Sequence, residues 1–274
     1  MSVVVPCFNR SKLVAPAVRS ALAQEDVELE VLVCDDGSED DSQEVVEGLG
    51  DDRVRWLPGE RSRGPAGPRN RGVAAARHPW VAFLDSDDVW LPGKLAAQLD
   101  AMMSTGAVVC TTDAWRVVPG STGAADRLLG HVPVRIDVIE QLRGNKVVTS
   151  SVVAATSAVR SAGGFPEAAG RTIYEDYALW LRLAQISPIL GLDEPWLEYR
   201  DDVVTSVQSQ MGLELRCTAN ALRDFRRWRR MQKPAVRTTP GELVLAARQL
   251  AGLLAVRDMV ARTPWPGQVR KRPA

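Results

Sequence analysis

Three short runs, Val3–Val5, Glu30–Cys34 and Val81–Leu84, each give way within a few residues to a polar cluster: Asn9, Asp35-Asp36 and Asp85-Ser86-Asp87-Asp88. Continuous short apolar runs suit strands buried on both faces, and helical stretches separate them. The spacing predicts helices from Ser11 to Gln24, Asp41 to Gly48 and Asn70 to Ala76, with a further strand at Val54–Leu57. Short strands alternating with helices imply an α/β fold with a mostly parallel sheet covered on both sides. Ligands of such sheets bind beyond the carboxyl ends of the strands, which is where all three polar clusters fall.

The cluster after Val81–Leu84 is the most demanding. Carboxylates crowded at the end of a core strand repel each other and resist burial. A divalent cation such as Mg²⁺ or Mn²⁺ would make them favourable, because hard cations take oxygen ligands. The plain alternative is a solvated acidic turn capping the helix that begins near Pro92. Asp36, in the Asp-Asp-Gly-Ser turn, suits a nucleobase imide or a ribose hydroxyl, or else an ordinary Asx turn. Arg69 and Arg71 follow the Gly/Pro loop Gly59–Pro68 and flank a predicted helix start, a setting that favours phosphate; Asn70 there would otherwise be a plain N-cap. Neither a Walker loop nor a GxGxxG run occurs, which withdraws support from ATP hydrolysis and dinucleotide binding.

The middle of the chain is less regular. Strands are expected at Val108–Thr112, Ser150–Ala155 and Trp196–Tyr199, a helix at Asp137–Arg143, and a turn at Ala162–Pro166. An amphipathic helix from Ile173 to Ala184 opens on Glu175-Asp176, with Leu179, Trp180 and Leu183 on its apolar side. Acids in a first helical turn gain from the helix dipole. One of the two can also serve as a general base toward an attacking hydroxyl; neighbours on a helix point about 100° apart, so only one reaches easily.

Composition narrows the class further. With 45% hydrophobic and 25% charged residues the chain is an ordinary globular one. No basic leader precedes the first strand, and the most apolar window, Leu243–Val260, is broken by Arg248, Arg257 and Asp258. A cytoplasmic protein is expected. Cys7, Cys34, Cys110 and Cys217 form no CxxC pair and read as small core residues. Only His78 and His131 are present, too few for a histidine metal site. Net charge is zero, yet from Arg216 onward 14 basic residues face 3 acidic ones. Two helices are expected there, Leu213–Met231 and Glu242–Arg262. They either pack on the body as a hairpin or present a basic amphipathic surface to a membrane.

Taken in order, Pro6-Cys7-Phe8-Asn9-Arg10, Asp35-Asp36-Gly37-Ser38, Arg69-Asn70-Arg71-Gly72, Leu84-Asp85-Ser86-Asp87-Asp88, Gly163-Gly164-Phe165 and Glu175-Asp176 resemble the motifs of family 2 glycosyltransferases over roughly residues 3–205. The resemblance implies a GT-A fold, with a Rossmann-like sheet and a C-terminal helical extension. A nucleotide-sugar-binding half would span 1–112, an acceptor half 113–205 and a basic helical extension 206–274. By the same resemblance Pro6, Phe8 and Asp36 would hold the nucleobase, with Asn9, Arg69, Asn70, Asp85 and Ser86 also by the nucleotide. Asp85-Ser86-Asp87 would be the DxD motif, Asp87 the ligand of Mn²⁺ or Mg²⁺ and Asp85 nearer the ribose or metal. Asp176 would be the base of an inverting, single-displacement transfer, supported by Glu175, and the Gly163-Gly164 turn part of the acceptor wall.

Many relatives carry a histidine two residues after the late Tyr-Arg; here Tyr199-Arg200 precedes Asp201-Asp202. Either Asp202 substitutes as an oxygen ligand or that contact is absent. The expected donor is a nucleoside-diphosphate sugar, by default UDP-linked. The expected acceptor is a glycan, glycolipid or small molecule, and no nucleic acid partner is expected. The rival readings are a sugar-nucleotidyltransferase, which needs a glycine-rich loop that Pro6–Arg10 lacks, and a catalytically silent nucleotide-sugar-binding scaffold.

Overall fold

The computed structural model describes residues 1–120, 126–167, 174–201 and 211–232, with the side chains of 211–216 excepted. In chain order the first half reads β1 (Ser2–Cys7), α1 (Val14–Leu22), β2 (Glu30–Asp35), α2 (Ser42–Glu47), β3 (Val54–Leu57), α3 (Ala66–Ala75), β4 (Trp80–Phe83), β5 (Val89–Trp90) and α4 (Lys94–Thr105). The second half reads β6 (Val109–Val117), β7 (Asp126–Arg127), β8 (Arg135–Ile136), α5 (Val138–Arg143), a 3-10 turn (Thr149–Ser151), β9 (Val153–Ala155), α6 (Thr156–Ser161), α7 (Glu175–Ile186), β10 (Ile189–Arg200) and α8 (Met211–Met231).

One sheet runs β3-β2-β1-β4-β9-β6-β10-β5, with β7 paired to β6 and β8 to β10. The first four strands are parallel, as is the β6/β10 pair. Antiparallel β9 joins these two blocks by pairing with both β4 and β6. The expected parallel sheet is therefore found in blocks, and β5, β7 and β8, at two residues each, were too short to leave a periodic signal.

The strands divide their side chains between two cores in the period-2 alternation of a pleated strand. Val3, Val5, Val31 and Val33 pack beneath α1 with Val14, Ala17, Val18 and Ala21; Val4, Leu32 and Cys34 face the opposite core, with Phe83, Phe165 and Trp180. In that second core Phe165 lies edge-on to Phe83 and Trp180 with ring centroids 5.1 and 5.8 Å apart. All four cysteines are buried and none forms a disulfide. Burial pushes the Cys7 and Cys34 thiols up to about 11 and 12.

Three expectations are corrected here. Helix α3 begins four residues before Asn70, so Arg69 and Asn70 sit inside it rather than at its N-terminus. Pro65 precedes the first turn, and proline's fixed φ suits a helix start. The strand expected from Ser150 starts only at Val153, because Thr149–Ser151 forms a 3-10 turn whose hydroxyls are taken up elsewhere. Helix α7 is buried on every side from Tyr177 to Ala184, not amphipathic. Helices α5, α6 and α8 all pack against it.

Helix α8 itself matches the expected 213–231 segment. Leu222, Phe225 and Trp228 are buried in the core, and Arg182 of α7 bonds Asp224 at 2.5 Å. Its apolar face is thus used within the body, while Arg223, Arg226, Arg227 and Arg230 are exposed. No helix among the described residues is long and apolar enough to cross a membrane. The expected Glu242–Arg262 helix and Asp202 lie outside the described residues.

Candidate active site

Strands β2, β1 and β4 are neighbours, so their carboxyl ends deliver Asp35-Asp36, Pro6-Phe8-Asn9 and Asp85–Asp88 to one edge of the sheet. Helix α3 lies close against that edge because Gly72 has no side chain. A Cβ there would come within 2.4 Å of Val4 Cγ1 and 2.9 Å of Cys34 Sγ. Arg69, nearly a full turn earlier, is thereby brought over the strand ends.

At the first corner Asp36 is buried and accepts from the Ser62 amide at 2.7 Å and from Arg61 at 2.6 Å. The Arg61 guanidinium lies 3.2 Å from the centroid of the Phe8 ring. Phe8 and Asp36, expected to grip a nucleobase, are therefore together, with a planar cation on both. Pro6 is buried in β1. Asn9 takes a positive φ of 51°, a conformation asparagine tolerates better than most residues. Its Oδ1 accepts from the Glu39 amide at 2.8 Å, tying the first loop to the second.

The second corner is centred on Arg69, which is buried and donates to Asp85 at 2.6 Å and to Glu175 at 2.9 Å. Burial works against its charge, but Asp85 and Glu175 outweigh burial and hold the guanidinium more firmly protonated. Glu175 and Asp176 open α7. Burial, then mutual repulsion, pushes the Glu175 carboxyl up to about 7, with Arg69 opposing. Asp176 is also raised by burial, against the pull of Arg69 and of hydrogen bonds from the Tyr177 amide and Thr149. Asp176 Oδ2 accepts from the Thr149 hydroxyl at 3.1 Å.

Asp85 and Asp87 are both partly exposed, and Arg10 lies 3.7 Å from Asp87. Burial and the charge of Asp85 raise the Asp87 carboxyl. Asp88 is turned inward: it accepts from the Ser150 hydroxyl at 2.5 Å and the Arg200 amide at 2.9 Å. Ser86 is buried. Among the described residues no group of three or more His, Cys, Asp or Glu side chains is placed to hold a metal by itself. Asp85 and Asp87 fit an oxygen-seeking cation that draws its remaining ligands from a bound diphosphate or water.

Asn70 and Arg71 are committed differently from the phosphate-facing reading of this helix. The Asn70 amide pins the glycine turn: it donates to Phe165 O and accepts from Phe165 N, both at 2.8 Å. Arg71 donates to the Asp35 carbonyl. Gly163 and Gly164 have φ of 83° and 65°, in the left-handed region glycine adopts freely. The Gly164 carbonyl accepts from buried Arg182 at 3.1 Å. Sequence reasoning missed Arg61, Thr149 and Ser150. Arg61 stood in a loop beside Arg63 with nothing to single it out; Ser150 was absorbed into an expected strand, and Thr149 just before it carried no local signal.

A model described as "Glycosyl transferase family 2" matches residues 2–157. The chain is similar to UDP-Glc:alpha-D-GlcNAc-diphosphoundecaprenol beta-1,3-glucosyltransferase WfgD of Escherichia coli, 36% identical over 103 residues, 38% of this chain and 41% of that protein. It is also similar to the glucosyltransferase WfaP of Escherichia coli, which has the same described activity, at 28% over 186 residues, 67% of this chain and 69% of that one. The chain thus spans well under half of the first of these relatives. In fold it is similar to S. aureus TarS 1–349 in complex with UDP, with a TM-score of 0.70, 18% identity, and coverage of 97% of this chain and 76% of that one. The mannosyltransferase PcManGT from Pyrobaculum calidifontis, in complex with GDP-Man and Mn2+, gives a TM-score of 0.60 at 16% identity, covering 97% of this chain and 76% of that one.

Proposed function

Because the chain belongs to glycosyltransferase family 2 and is a glycosyltransferase of GT-A fold, we propose that it transfers a sugar, with inversion, from a UDP-linked donor to a hydroxyl of a lipid-linked glycan. One observation carries this reading: Arg69 bridges Asp85 and Glu175, so a donor-side carboxylate and the acid pair of α7 lie on opposite arms of a single guanidinium. A bond broken near Asp85 and a proton taken near Asp176 then fall within one small volume.

In this reading the nucleobase stacks on Phe8 and bonds Asp36, displacing Arg61. Asp87 and Asp85 would hold a divalent cation beside the donor diphosphate. Such a cation, when bound, offsets the charge that builds on the departing diphosphate. Asp176 takes the proton of the acceptor hydroxyl as it attacks the anomeric carbon from the face opposite the nucleotide. Glu175 is held by Arg69 and steadies the acceptor side. No residue of the chain becomes covalently attached. The relatives named for diphosphoundecaprenol acceptors favour a lipid-linked acceptor, and the exposed arginines of α8 suit the anionic surface where such an acceptor resides.

The test is calorimetric binding of UDP, GDP, dTDP, CDP and ADP, each with Mn²⁺ and with EDTA. UDP binding that is strengthened by Mn²⁺ and lost in Asp87→Ala is the expected result. Equal binding in EDTA would remove the cation from the scheme, and preference for another base would change the donor.

A further inference from the structure

The 3-10 turn Thr149–Ser151 stands between the two groups of carboxylates and touches both. The Thr149 hydroxyl donates to Asp176 Oδ2 at 3.1 Å. The next hydroxyl, of Ser150, accepts from the Asp85 amide at 3.0 Å and donates to Asp88 at 2.5 Å. Each hydroxyl has one proton, and each is used toward an acid.

The turn is clamped from behind. Trp90 Nε1 donates to the Ser150 carbonyl at 2.7 Å, and Gln98 to the Ser151 carbonyl at 2.9 Å. Gln98 is in turn held by Lys94 at 2.7 Å, whose ammonium is fully buried and lies 4.1 Å from the centroid of the Trp90 ring. Ser151 Oγ accepts from the Thr112 amide at 3.1 Å and shares a 2.6 Å hydrogen bond with Thr111. Hiding a lysine, a glutamine and three hydroxyls costs free energy unless each finds a partner. Here Lys94 is satisfied by Gln98, Gln98 by the Ser151 carbonyl, and the three consecutive hydroxyls by the segments around them, more polar material than is needed to link α5 to β9.

We propose that Thr149–Ser151 is the positioning element of the active site, fixing Asp176 through Thr149 and the Asp85–Asp88 segment through Ser150 on one rigid piece. This rests on the reading of Asp176 as the base. The turn does no chemistry itself; it sets the separation between the proton acceptor and the carboxylates on the donor side. The charged groups facing Asp176 are Glu175 beside it on α7, Arg69 from α3 and Asp85 from the end of β4. The Thr149 hydroxyl supplies a neutral donor to the ionised carboxylate.

The experiment compares Thr149→Val and Thr149→Ser in the full chain, with Asp176→Asn in parallel, by carboxyl-carbon NMR titration of Asp176. Turnover of UDP-glucose with GlcNAc-diphosphoundecaprenol is measured across pH. Thr149→Val is expected to raise the pH at which Asp176 loses its proton, and to lower kcat roughly tenfold with the donor KM unchanged, since hydrogen bonds to charged groups are the stronger ones. Thr149→Ser should restore both. Ser150→Ala should weaken UDP binding in Mn²⁺ while leaving binding in EDTA alone.

A wild-type Asp176 titration in Thr149→Val overturns the proposal even where no turnover is seen. So does equal impairment of the Val and Ser variants, which would mark a packing role. Should Thr149→Val fail to fold, Thr149→Ala is read the same way. If Asp176→Asn is inactive while Thr149→Val behaves as wild type, the positioning role falls and the base stands. If Asp176→Asn keeps full turnover, the base reading falls and takes the proposal with it.

Discussion

The Phe8–Asp36 corner and the Arg69 centre lie at adjacent strand ends, yet they are built on different terms. The first is open on one side: Arg61 is 44% exposed and reaches Phe8 and the buried Asp36 from the loop above them. The second is internal. The Arg69 side chain is 5% exposed and joins the end of β4 to the start of α7. A recognition surface must let its ligand in, so its contacts are weak enough to exchange. A reacting centre gains from fixed dipoles in a water-poor setting, where each interaction is stronger. If this contrast is real, damage to the second region should far exceed damage to the first.

The largest effect is expected from Asp176→Asn. Removal of a general base lowers turnover by about 10² to 10⁴, and UDP affinity should be unchanged by calorimetry. Next comes Arg69→Met, which leaves Asp85 and Glu175 without their shared cation. Breaking a buried pair by deleting one partner costs about 3–5 kcal/mol, and equilibrium urea denaturation would read it. A loss below 1 kcal/mol would mean the two acids are solvated, and the contrast between corners would collapse.

Much of the first region was legible in the chain and little of the second. Pro6 ends an apolar run, and Phe8, Asn9 and Asp36 follow strands whose apolar runs and Asp-Gly turn are local signals. Their meeting place followed from parallel topology alone, because neighbouring parallel strands end on the same side. Arg69, Glu175 and Thr149 are separated by up to 106 positions, and no local pattern states that they touch. Gly72 explains how α3 comes so near, but only once Val4 and Cys34 are seen 2.4 and 2.9 Å from its absent Cβ. The four-residue error at the start of α3 mattered for the same reason. It turned helix-interior residues, with Arg69 buried among them, into candidates for a phosphate-facing terminus.

The acid pair also gives the two regions different responses to pH. Burial and the charge of Asp176 raise the Glu175 carboxyl to about 7, and burial and the charge of Asp85 raise Asp176. A raised carboxylate keeps its proton to higher pH, so the proposed base Asp176 is disabled on the acid side and kcat should still be climbing with pH above the ordinary carboxylate range. Below the pH at which Asp176 loses its proton, each unit of pH removes up to tenfold in rate. UDP binding at the other corner should vary far less over the same interval. A kcat profile flat from pH 5 to 8 would show that neither acid carries the rate-limiting proton.

The smallest effect, and the sharpest test of the first corner, is Arg61→Ala. In the structure Arg61 lies on the ring and the carboxylate that the proposed nucleobase needs. An exposed cation–π contact is worth about 0.5–1 kcal/mol, and an ion pair whose cation stays in solvent about 0–1 kcal/mol. Removing both contacts should therefore tighten UDP binding by at most roughly thirtyfold, since 1.4 kcal/mol is a factor of ten. Stability should hardly change, because Asp36 keeps its 2.7 Å bond from the Ser62 amide. Weaker binding would instead make Arg61 part of the nucleotide's own enclosure, stacked on the far face of the base. In that case the exposed corner would be a clamp rather than an open shelf, and the two regions would differ less than their burial suggests.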